Sequence, residues 1–358
     1  MNLKIGIVGL PNAGKSTLFN ALLKKNTAMA ENYPFCTIEP NTGIVNVPDA
    51  RLSVLAKIVN TTRIVPATVE FVDIAGLVKG AHKGEGLGNK FLSHIREVSA
   101  ICYVLRFFED DNVVHVANRI DPADDLAILE DELMLADLAT LEKYKAPKGK
   151  PSKEDTIRAE AVQKLKNALK KAIPARRVTL TEEEAAQAKQ LMLLTLKPTL
   201  CVANMSEAQF GNKETLLREL TTKTNAQPIA LNARLEAELI DASTEERIEL
   251  LASVGIESPA LESLSAQAYK TLNLMSFLTA GELEARAWTI LQGTFAPQAA
   301  GVIHSDFEQK FIKADIVQYT DFVKENGWLG SRQKGLVHSM GKDYIMHEGD
   351  VVEFKIGV

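Results

Sequence analysis

The sequence predicts an α/β fold built on a mostly parallel sheet, with an inserted α-helical hairpin and a C-terminal α+β domain. Three observations lead to this prediction. Short apolar runs that end in glycine or polar residues recur through the first 230 residues, as expected for buried parallel strands. Two of these runs are separated by two apolar stripes at helical spacing, which a Pro/Gly turn joins. After about residue 273, shorter strand-like pieces replace this pattern.

The composition limits the classes of protein to which the chain can belong. Its 358 residues are enough for two or three domains. No apolar run reaches about 18 residues, so we expect no transmembrane helix and no membrane partner. The N-terminus leads directly into a predicted strand, so we expect no targeting leader. The three cysteines form no C-x-x-C pair, which favours a reduced, cytoplasmic setting. The net charge of −5 argues against a generally basic nucleic-acid binder but leaves local basic patches open.

The first chemical motif is G-L-P-N-A-G-K-S at residues 9–16, which fits the pattern G-x-x-x-x-G-K-[ST]. An apolar run precedes it and a helical pattern follows. Together they form a phosphate cradle, in which Lys15 reaches the outer phosphates and Ser16 places its hydroxyl on Mg²⁺. A chance match in an ordinary loop is the alternative, and the strand–loop–helix context argues against it. We therefore predict a P-loop nucleotide-binding domain. The nucleotide contacts predicted in this motif are Asn12, Ala13, Gly14, Lys15, Ser16 and Thr17.

Two later segments predict switches that sense the γ-phosphate. Prolines exclude a helix from residues 31–48, and Thr37 in this segment is the candidate that reaches Mg²⁺. An ordinary loop threonine is the alternative interpretation, which the position after the P-loop disfavours. The apolar run 68–73 ends in Asp73, a candidate ligand in the Mg²⁺ shell, and the D-x-x-G pattern that follows lets Gly76 offer its N–H to the γ-phosphate.

Leu77 comes next, where small GTPases have a glutamine that orients the attacking water. Leucine has no group for this task, so any hydrolysis must position its water by other means. Glycines are dense from residue 76 to residue 88, which suits a mobile second switch. His115 lies beside a later apolar strand, where a lone histidine is more often structural than catalytic.

Residues 121–177 predict a charged helical hairpin. The range 121–142 has eight acidic residues and no lysine or arginine, and residues 157–172 carry an apolar stripe with a basic face. Twelve lysines and arginines lie within 143–177, and they favour contact with RNA phosphates. Pairing of these cations with the acidic helix is the competing interpretation. The lysines at the turn, beyond easy reach of the middle of that helix, are Lys145, Lys148, Lys150 and Lys153.

The strand pattern returns after the hairpin. Thr181 and Glu184 form a capping box that predicts a third helix, and apolar strands follow at 198–203 and 227–231. Strand-like pieces occur later at 287–291, 299–304, 314–317 and 351–356. The predicted domains are the P-loop domain at 1–124 and 192–272, the hairpin insert at 125–191, and the C-terminal domain at 273–358.

The segment N-M-S-E at 204–207 follows the strand whose end reads the base in guanine-specific sites. Such sites carry Asn-Lys-x-Asp, and the aspartate accepts hydrogen bonds from two N–H groups of guanine. Met205 replaces the lysine and Glu207 replaces the aspartate, whereas Asn204 can still bond N6 and N7 of adenine and Met205 can cover the ring. The predicted nucleotide contacts of this segment are Asn204, Met205 and Glu207. A site without these paired bonds loses on the order of 10⁴-fold discrimination for guanine. The alternative, that Asn204 and Glu207 only cap a turn, is weakened by their place in the domain.

These motifs resemble those of the YchF or Obg-like ATPase family. The resemblance rests on residues 9–16, N-Y-P-F-C-T-I-E-P-N at 32–41, D-I-A-G-L at 73–77 and the Asn204-x-x-Glu207 pair. The C-terminal part adds F-L-T-A-G at 277–281, R-A-W-T at 286–289 and I-H-S-D-F-E at 303–308. The resemblance covers essentially the whole chain. It implies a G domain interrupted by a helical hairpin and a C-terminal TGS domain of β-grasp type. Asn232-Ala233 departs from it, because a serine or small residue is common there.

The resemblance also implies an activity. Family members bind ATP in preference to GTP, need Mg²⁺, are stimulated by K⁺ and associate with ribosomes. By resemblance Asn12 helps to hold K⁺ and His115 matches a histidine linked to hydrolysis, so the catalytic candidates are Gly76, Leu77 and His115. We therefore expect a monomeric, cytoplasmic ATPase that acts as a nucleotide-gated switch and contacts ribosomal RNA on the large subunit. Two alternatives stay open, an Obg-type GTPase and a non-hydrolysing, nucleotide-gated binding module.

Overall fold

The computed structural model describes residues 3–30, 42–74, 87–109, 119–145, 151–224, 226–256 and 259–357. Its strands are β1 (Lys4–Val8), β2 (Thr42–Asn46), β3 (Ile64–Val65), β4 (Thr68–Asp73), β5 (Ala100–Arg106), β6 (Thr199–Asn204), β7 (Pro228–Leu231), β8 (Leu274–Ala280), β9 (Ala285–Leu291), β10 (Phe311–Gln318), β11 (His338–Met340) and β12 (Asp350–Ile356). Its helices are α1 (Lys15–Ala30), α2 (Ala50–Ile58), α3 (Leu87–Glu97), α4 (Pro122–Glu142), α5 (Lys153–Leu169), α6 (Glu182–Lys189), α7 (Glu207–Phe210), α8 (Lys213–Thr224), α9 (Ala233–Asp241), α10 (Thr244–Ser253), α11 (Ala260–Thr271), α12 (Ala296–Ile303), α13 (Ser305–Gln309), α14 (Tyr319–Lys324) and α15 (Trp328–Gln333).

The first sheet has the strand order β2-β4-β1-β5-β6-β7. The strands pair in parallel from β4 through β1, β5 and β6 to β7. All seven residues of β5 are buried, as expected for a central strand covered by helices on both faces. The carboxyl ends of parallel strands lie at one edge of their sheet, so this arrangement gathers the loops after β1, β4 and β6. The predicted α/β fold with a parallel sheet is confirmed.

The predicted hairpin insert is also present, as α4 and α5, and α6 packs on α5. Apolar residues from α4 and α5, including Leu141 and Leu165, form its core. Asp121 caps α4 by accepting from the N–H groups of the first turn. The predicted capping box of Thr181 and Glu184 starts α6. Each helix therefore begins at a residue that its sequence marks as a helix start.

The competing interpretation, in which the cations of residues 143–177 pair with the acidic helix, does not account for three carboxylates of that helix. Asp125, Glu132 and Asp137 of the acidic helix α4 are buried. Asp137 accepts from the N–H of Leu194 at 2.7 Å and the N–H of Thr195 at 2.8 Å. This carboxylate therefore stabilises the chain segment before β6.

Cations of α5 instead find acceptors on α6. Lys153 pairs with Glu183 at 2.8 Å and Lys164 pairs with Glu184 at 2.7 Å. Arg158 donates to the side-chain oxygen of Gln187. Arg176, which follows α5, pairs with Glu130 of α4. Among the pairs of the described residues, α6 thus neutralises more of the α5 charge than α4 does.

The second sheet has the order β11-β10-β12-β8-β9-β3. The pairs β8/β9, β10/β12 and β10/β11 are antiparallel, whereas β12/β8 and β3/β9 are parallel. Its core is built around Phe277, Ile290, Ile316 and Val352. The predicted C-terminal α+β domain is therefore confirmed as a β-rich domain.

The chain divides into two compact units, and the division does not follow the predicted boundaries. The first unit comprises Met1–Ile44 and Glu70–Ser263, and the second comprises Val45–Val69 and Leu264–Val358. The predicted boundaries assign residues 45–69 to the nucleotide-binding domain. In the structure α2 packs against β9 and α14, and β3 pairs with β9. The exact division into three domains stays a prediction.

One predicted strand of the C-terminal part is wrong. Residues 299–304 mostly belong to α12, which has a proline in its first turn. Ala296, Ala299 and Ala300 are fully buried at the i, i+3, i+4 spacing of a helix face. Proline in the first turn and alanine in the interior both favour a helix. The apolar run was therefore one face of a short helix.

Candidate nucleotide-binding site

The loop between β1 and α1 has the backbone that a phosphate cradle requires. Gly14 adopts a left-handed conformation with φ of 91°, and Asn12 has φ of 64°. A Cβ at Gly14 would overlap the side-chain amide of Asn204, and a Cβ at Gly9 would lie 2.5 Å from the carbonyl oxygen of Val104. Glycine is therefore needed at both positions, and the loop sits directly against the ends of β5 and β6.

Lys15 is held inside this loop. Lys15 is only 8% exposed, and its Nζ donates to the carbonyl oxygen of Leu10 at 2.8 Å. Burial lowers the pKa of the Lys15 ammonium group, and the nearby Asp73 carboxylate partly opposes this shift. A desolvated cation of this kind interacts strongly with an incoming phosphate. Ser16 and Thr17 are exposed at the start of α1.

Asp73 lies at the end of β4, paired in register with Ile7 of β1. Burial raises the pKa of its carboxyl group, and Lys15 partly opposes the rise. One carboxylate oxygen, Oδ1, is buried and accepts no hydrogen bond within the described part of the chain. A buried acidic oxygen without a protein donor fits a Mg²⁺ ligand. Ser16, which is exposed at the start of α1, would supply the second oxygen of the predicted set.

Asn204 connects the P-loop to the chain after β7. Its Nδ2 donates to the carbonyl oxygen of Ala13 at 3.0 Å, and its Oδ1 accepts from the N–H of Ala233 at 3.1 Å. The residue is only 5% exposed. The sequence predicts that Asn204 contacts the base, and the two hydrogen bonds add a role in positioning the P-loop. Ala233 was not predicted as a site residue, although the departure at Asn232-Ala233 marked this place.

The two remaining residues of the base-reading segment differ in environment. Met205 is 1% exposed and belongs to the core of the first unit. Glu207 is exposed as the first residue of α7. Gln209 fixes this segment, because its side chain accepts from the N–H of Ser206 at 2.9 Å and donates to the carbonyl oxygen of Phe107 at 2.7 Å. The turn is therefore capped by Gln209 and not by Glu207.

Phe108 is a residue near the P-loop that sequence reasoning missed. A Cβ at Gly14 would lie 3.8 Å from its ring. Arg106 fixes Phe108 by donating from Nε to its carbonyl oxygen at 3.0 Å and by lying 4.6 Å above the ring centroid. The only available signal was the arginine at the end of an otherwise apolar strand.

Several predicted site residues lie outside the described residues. They are Thr37, Gly76, Leu77 and His115. Their roles as switch and catalytic groups stay predictions. Lys148 and Lys150 of the hairpin turn lie outside the described residues as well.

A parallel sheet, a glycine-rich loop with a buried lysine and an aspartate at the end of the neighbouring strand define a P-loop nucleoside triphosphatase. Two family models match the chain. Residues 4–138 match MMR_HSR1, described as a 50S ribosome-binding GTPase, and residues 274–357 match YchF-GTPase_C, described as a protein of unknown function. The chain belongs to the YchF family, as the following relatives establish.

The chain is 48% identical to the Ribosome-binding ATPase YchF of Bacillus subtilis and 47% identical to that of Escherichia coli O157:H7. Each match covers 100% of both chains. The solved structure of the Schizosaccharomyces pombe YchF GTPase is 36% identical, covers 99% of this chain and 98% of that chain, and has a TM-score of 0.87. A GTP binding protein from Pyrococcus horikoshii shares the fold at 18% identity, with a TM-score of 0.59 and coverage of 99% of this chain and 100% of that chain.

Within the described ranges, none of the helices combines the length and the apolar character needed to cross a bilayer.

Proposed function

We propose that this P-loop nucleoside triphosphatase is a ribosome-associated ATPase that hydrolyses ATP in preference to GTP and acts as a nucleotide-gated switch. The observation that carries this proposal is the base-reading segment after β6. Met205 occupies the position at which a guanine-specific site has a lysine whose stem covers the base. Here the methionine is buried in the core. Glu207 is longer by one methylene than the aspartate of such a site, and it is exposed at the start of α7.

These features remove the paired hydrogen bonds on which guanine selection depends. Adenine has no N2 amine and its N1 accepts a hydrogen bond, so a carboxylate aimed at that edge contributes nothing to ATP binding. Guanine would leave its N1–H and N2 amine without the paired acceptor of a guanine-specific site, and unpaired polar groups of this kind discriminate strongly against a ligand. We therefore expect the site to discriminate against GTP by weak binding and to accept ATP through backbone contacts and Asn204.

The relatives support hydrolysis and ribosome binding, although their names differ on the nucleotide. The bacterial relatives are named ribosome-binding ATPases. The structure from Schizosaccharomyces pombe is named a GTPase, and the MMR_HSR1 model is described in the same terms. An Obg-type GTPase is therefore the second candidate. A non-hydrolysing, nucleotide-gated module is the third, because Leu77 lacks a group that orients water.

Each residue of the site has a proposed role. Lys15 binds the outer phosphates, with backbone N–H groups of residues 12–17 around them. Ser16, Asp73 and Thr37 would hold Mg²⁺, which neutralises charge that develops on the phosphate oxygens. Gly76 offers its N–H to the γ-phosphate, and His115 takes part in hydrolysis.

We expect slow intrinsic hydrolysis that K⁺ stimulates, with Asn12 as a ligand of the cation. A cation near the phosphates would replace an arginine finger, which contributes roughly 10³–10⁵ in rate. The exposed position of Asn12 at the loop leaves room for such a role.

The proposed partner is the ribosome, at its large subunit and through ribosomal RNA. Contact would involve the helical hairpin and the C-terminal domain. The support is a cluster of exposed positive charge at the hairpin of a chain that is acidic overall. Lys145, Lys170 and Lys171 are exposed there and form no ion pair with another described residue. We further propose a cytoplasmic monomer.

A phosphate-release assay tests the proposal. Turnover would be measured with ATP and with GTP, each with and without ribosomes, and with Lys15→Ala as the inactive control. Faster turnover with ATP than with GTP, increased by ribosomes, is the expected result. Faster turnover with GTP would favour the Obg-type GTPase. No release above the Lys15→Ala background, with tight ATP binding, would favour the binding module.

A further inference from the structure

The loop after β5 is attached at two points to the base-reading segment after β6. The N–H of Phe107 donates to the carbonyl oxygen of Asn204 at 2.9 Å. The carbonyl oxygen of Phe107 accepts from Nε2 of Gln209 at 2.7 Å. Phe107 itself is buried in the core of the first unit. Its main chain therefore has a fixed position relative to residues 204–209.

Gln209 makes the second attachment from the start of a helix. It is the third residue of α7, a position where the side chain of a glutamine or glutamate accepts from the N–H of the residue before the helix. Here its Oε1 accepts from the N–H of Ser206 at 2.9 Å. A glutamate would serve this cap equally well, but an ionised carboxylate cannot donate to a carbonyl oxygen. The contact with Phe107 is therefore the one that requires an amide.

This bridge lies beside the P-loop. Phe108 directly follows Phe107, and a Cβ at Gly14 would lie 3.8 Å from the Phe108 ring. On the other side of the bridge, Asn204 donates to a P-loop carbonyl oxygen. The Gln209 amide thus sets the separation between two segments that both reach the P-loop.

Other contacts hold the part of the site that would bind phosphates. Lys15 donates to the carbonyl oxygen of Leu10 at 2.8 Å. Asn204 donates to the carbonyl oxygen of Ala13 at 3.0 Å. Neither contact involves Gln209. A change confined to the Gln209 amide should therefore alter the surroundings of the base and leave the phosphate cradle intact.

We propose that Gln209 is a positioning residue for the nucleotide base. Its amide keeps the loop after β5 at the separation from residues 204–207 at which adenine is bound. Gln209 acts through Phe107 and Ser206 and makes no contact with the nucleotide itself. The inference rests on the proposed ATP-binding function, because it names a residue that supports base selection at that site.

A comparison of nucleotides with inorganic tripolyphosphate, which has phosphates but no base, tests this inference. Calorimetric titration in Mg²⁺ would measure the affinity of the full chain for ATP, GTP and tripolyphosphate. Gln209→Glu keeps the cap of α7 and removes the donor to Phe107, whereas Gln209→Met removes both. Gln298→Glu is the matched control, because Gln298 is the exposed third residue of α12 in the second unit. Circular dichroism would check that all three variants fold.

We expect Gln209→Glu to weaken ATP binding about three- to tenfold, as the loss of one hydrogen bond does. Tripolyphosphate binding should stay within about twofold of the unaltered chain, because its cradle has other supports. The ratio of ATP to GTP affinity should fall, since GTP has fewer paired contacts to lose. Gln209→Met should weaken ATP binding at least as much, and Gln298→Glu should change none of the affinities.

Two results would overturn the inference. One is unchanged ATP affinity in Gln209→Glu. The other is an equal loss of affinity for ATP and for tripolyphosphate, which would assign Gln209 to the fold or the phosphate cradle alone.

Failure of the proposed ATP preference would look different, because the unaltered chain would then bind GTP at least as tightly as ATP. The comparison with tripolyphosphate would in that case use GTP. A selective loss of GTP affinity in Gln209→Glu would still support the positioning of the base, and an equal loss for both ligands would overturn it.

Discussion

The side chain of Asn204 connects the P-loop to the start of α9 by hydrogen bonds to the main chain of Ala13 and of Ala233. Its amide uses both hydrogen-bonding ends, one as donor to Ala13 and one as acceptor from Ala233. Both partners are main-chain groups, so the connection depends on the identity of Asn204 alone. The position of the P-loop is thus tied to a residue about 190 positions away in sequence.

We expect Asn204→Asp to break this connection on one side. The carboxylate still accepts from Ala233 but cannot donate to Ala13, which leaves a buried carbonyl facing a negative charge. A buried polar group without its partner costs about 1–3 kcal/mol, so both the free energy of unfolding and the affinity for Mg-ATP should fall. Denaturant unfolding and calorimetric titration would measure the two quantities. The control is Asn212→Asp, at an exposed position. Equal ATP affinity in both variants would contradict the positioning role.

Glu207→Asp should raise the affinity for GTP relative to ATP several-fold, because it restores the shorter carboxylate of guanine-specific sites. Calorimetric titration with both nucleotides would measure the ratio, with Glu214→Asp on α8 as the matched control. Adding Met205→Lys should shift the preference further toward GTP. Because Met205 is buried, this lysine would carry an ammonium group into the core and lower stability. Tighter binding of GTP than ATP by the unaltered chain would refute the proposed preference.

Turnover should be faster in K⁺ than in Na⁺, and Asn12→Gly should abolish the difference. Glycine is the suitable replacement because Asn12 has a positive φ, which glycine adopts without strain. Phosphate release at equal ionic strength in the two salts would measure the effect. ATP affinity should change little. Equal turnover in K⁺ and Na⁺ would exclude the cation role.

Leu77→Ala and His115→Ala test the catalytic predictions in the same assay. His115→Ala should reduce turnover without a comparable loss of ATP affinity, if the histidine takes part in hydrolysis. Unchanged turnover in both variants would show that neither residue belongs to the catalytic switch.

Charge reversal at the hairpin turn should weaken ribosome binding. Phosphate contacts contribute through counterion release, so the loss should be largest at low salt. Co-sedimentation with ribosomes at several salt concentrations would measure it, alongside ATP titration, which should not change. The residues changed to glutamate are Lys145, Lys148, Lys150 and Lys153. A control with the same change in net charge reverses exposed cations outside the hairpin and outside residues 273–358, namely Arg218, Lys223, Arg247 and Lys270. Unchanged, salt-independent binding would exclude the hairpin as the RNA-facing element.

Glu184 should make the contact between α5 and α6 sensitive to acid. Its carboxylate accepts from Lys164 at 2.7 Å and from the N–H of Thr181 at 2.9 Å. The Lys164 hydrogen bond, with help from Thr181, lowers the pKa of Glu184 below its usual 4.5. The folded chain therefore binds this proton less readily than the unfolded chain. The stabilisation is complete above pH 4.5 and is lost as the pH falls through the lowered pKa.

Glu184→Gln should accordingly lower the Tm at neutral pH by about 2–4 °C. Its difference from the unaltered chain should shrink as the pH falls below 4.5. Thermal unfolding followed by circular dichroism at several pH values would measure this. Glu183→Gln is the control, because Glu183 pairs only with the exposed Lys153 within the described residues. A difference that persists unchanged at low pH would contradict the linkage.

Sequence patterns predicted the first sheet well because each buried parallel strand is a local apolar run. The P-loop was predicted for the same reason, since its glycines, lysine and serine are contiguous. The strand prediction at 299–304 failed because alanine and valine suit a helix face as well as a strand, and only packing against the second sheet decides between them.

Contacts between distant residues could not be predicted from one sequence. Asn204 carried a recognisable pattern, but nothing local showed that its amide is shared between Ala13 and Ala233. Pairing of the α5 cations with α4 was only the competing interpretation, and it rested on proximity along the chain. Lys164 pairs instead with Glu184, the residue whose capping role was predicted. The Glu184 carboxylate both caps α6 and pairs with Lys164. The sequence pattern reveals only the cap, because its partner Thr181 is close along the chain.

Because residues 45–69 belong to the second unit, a single break in the chain cannot separate the two units. A protein ending at residue 263 would retain α2, whose Leu52 and Leu55 are buried, without β9 and α14, against which this helix packs. A fragment starting at residue 264 would lack β3 and α2. Exchange of the C-terminal part between two family members must therefore transplant both pieces together. The second unit is modular in space but not along the chain.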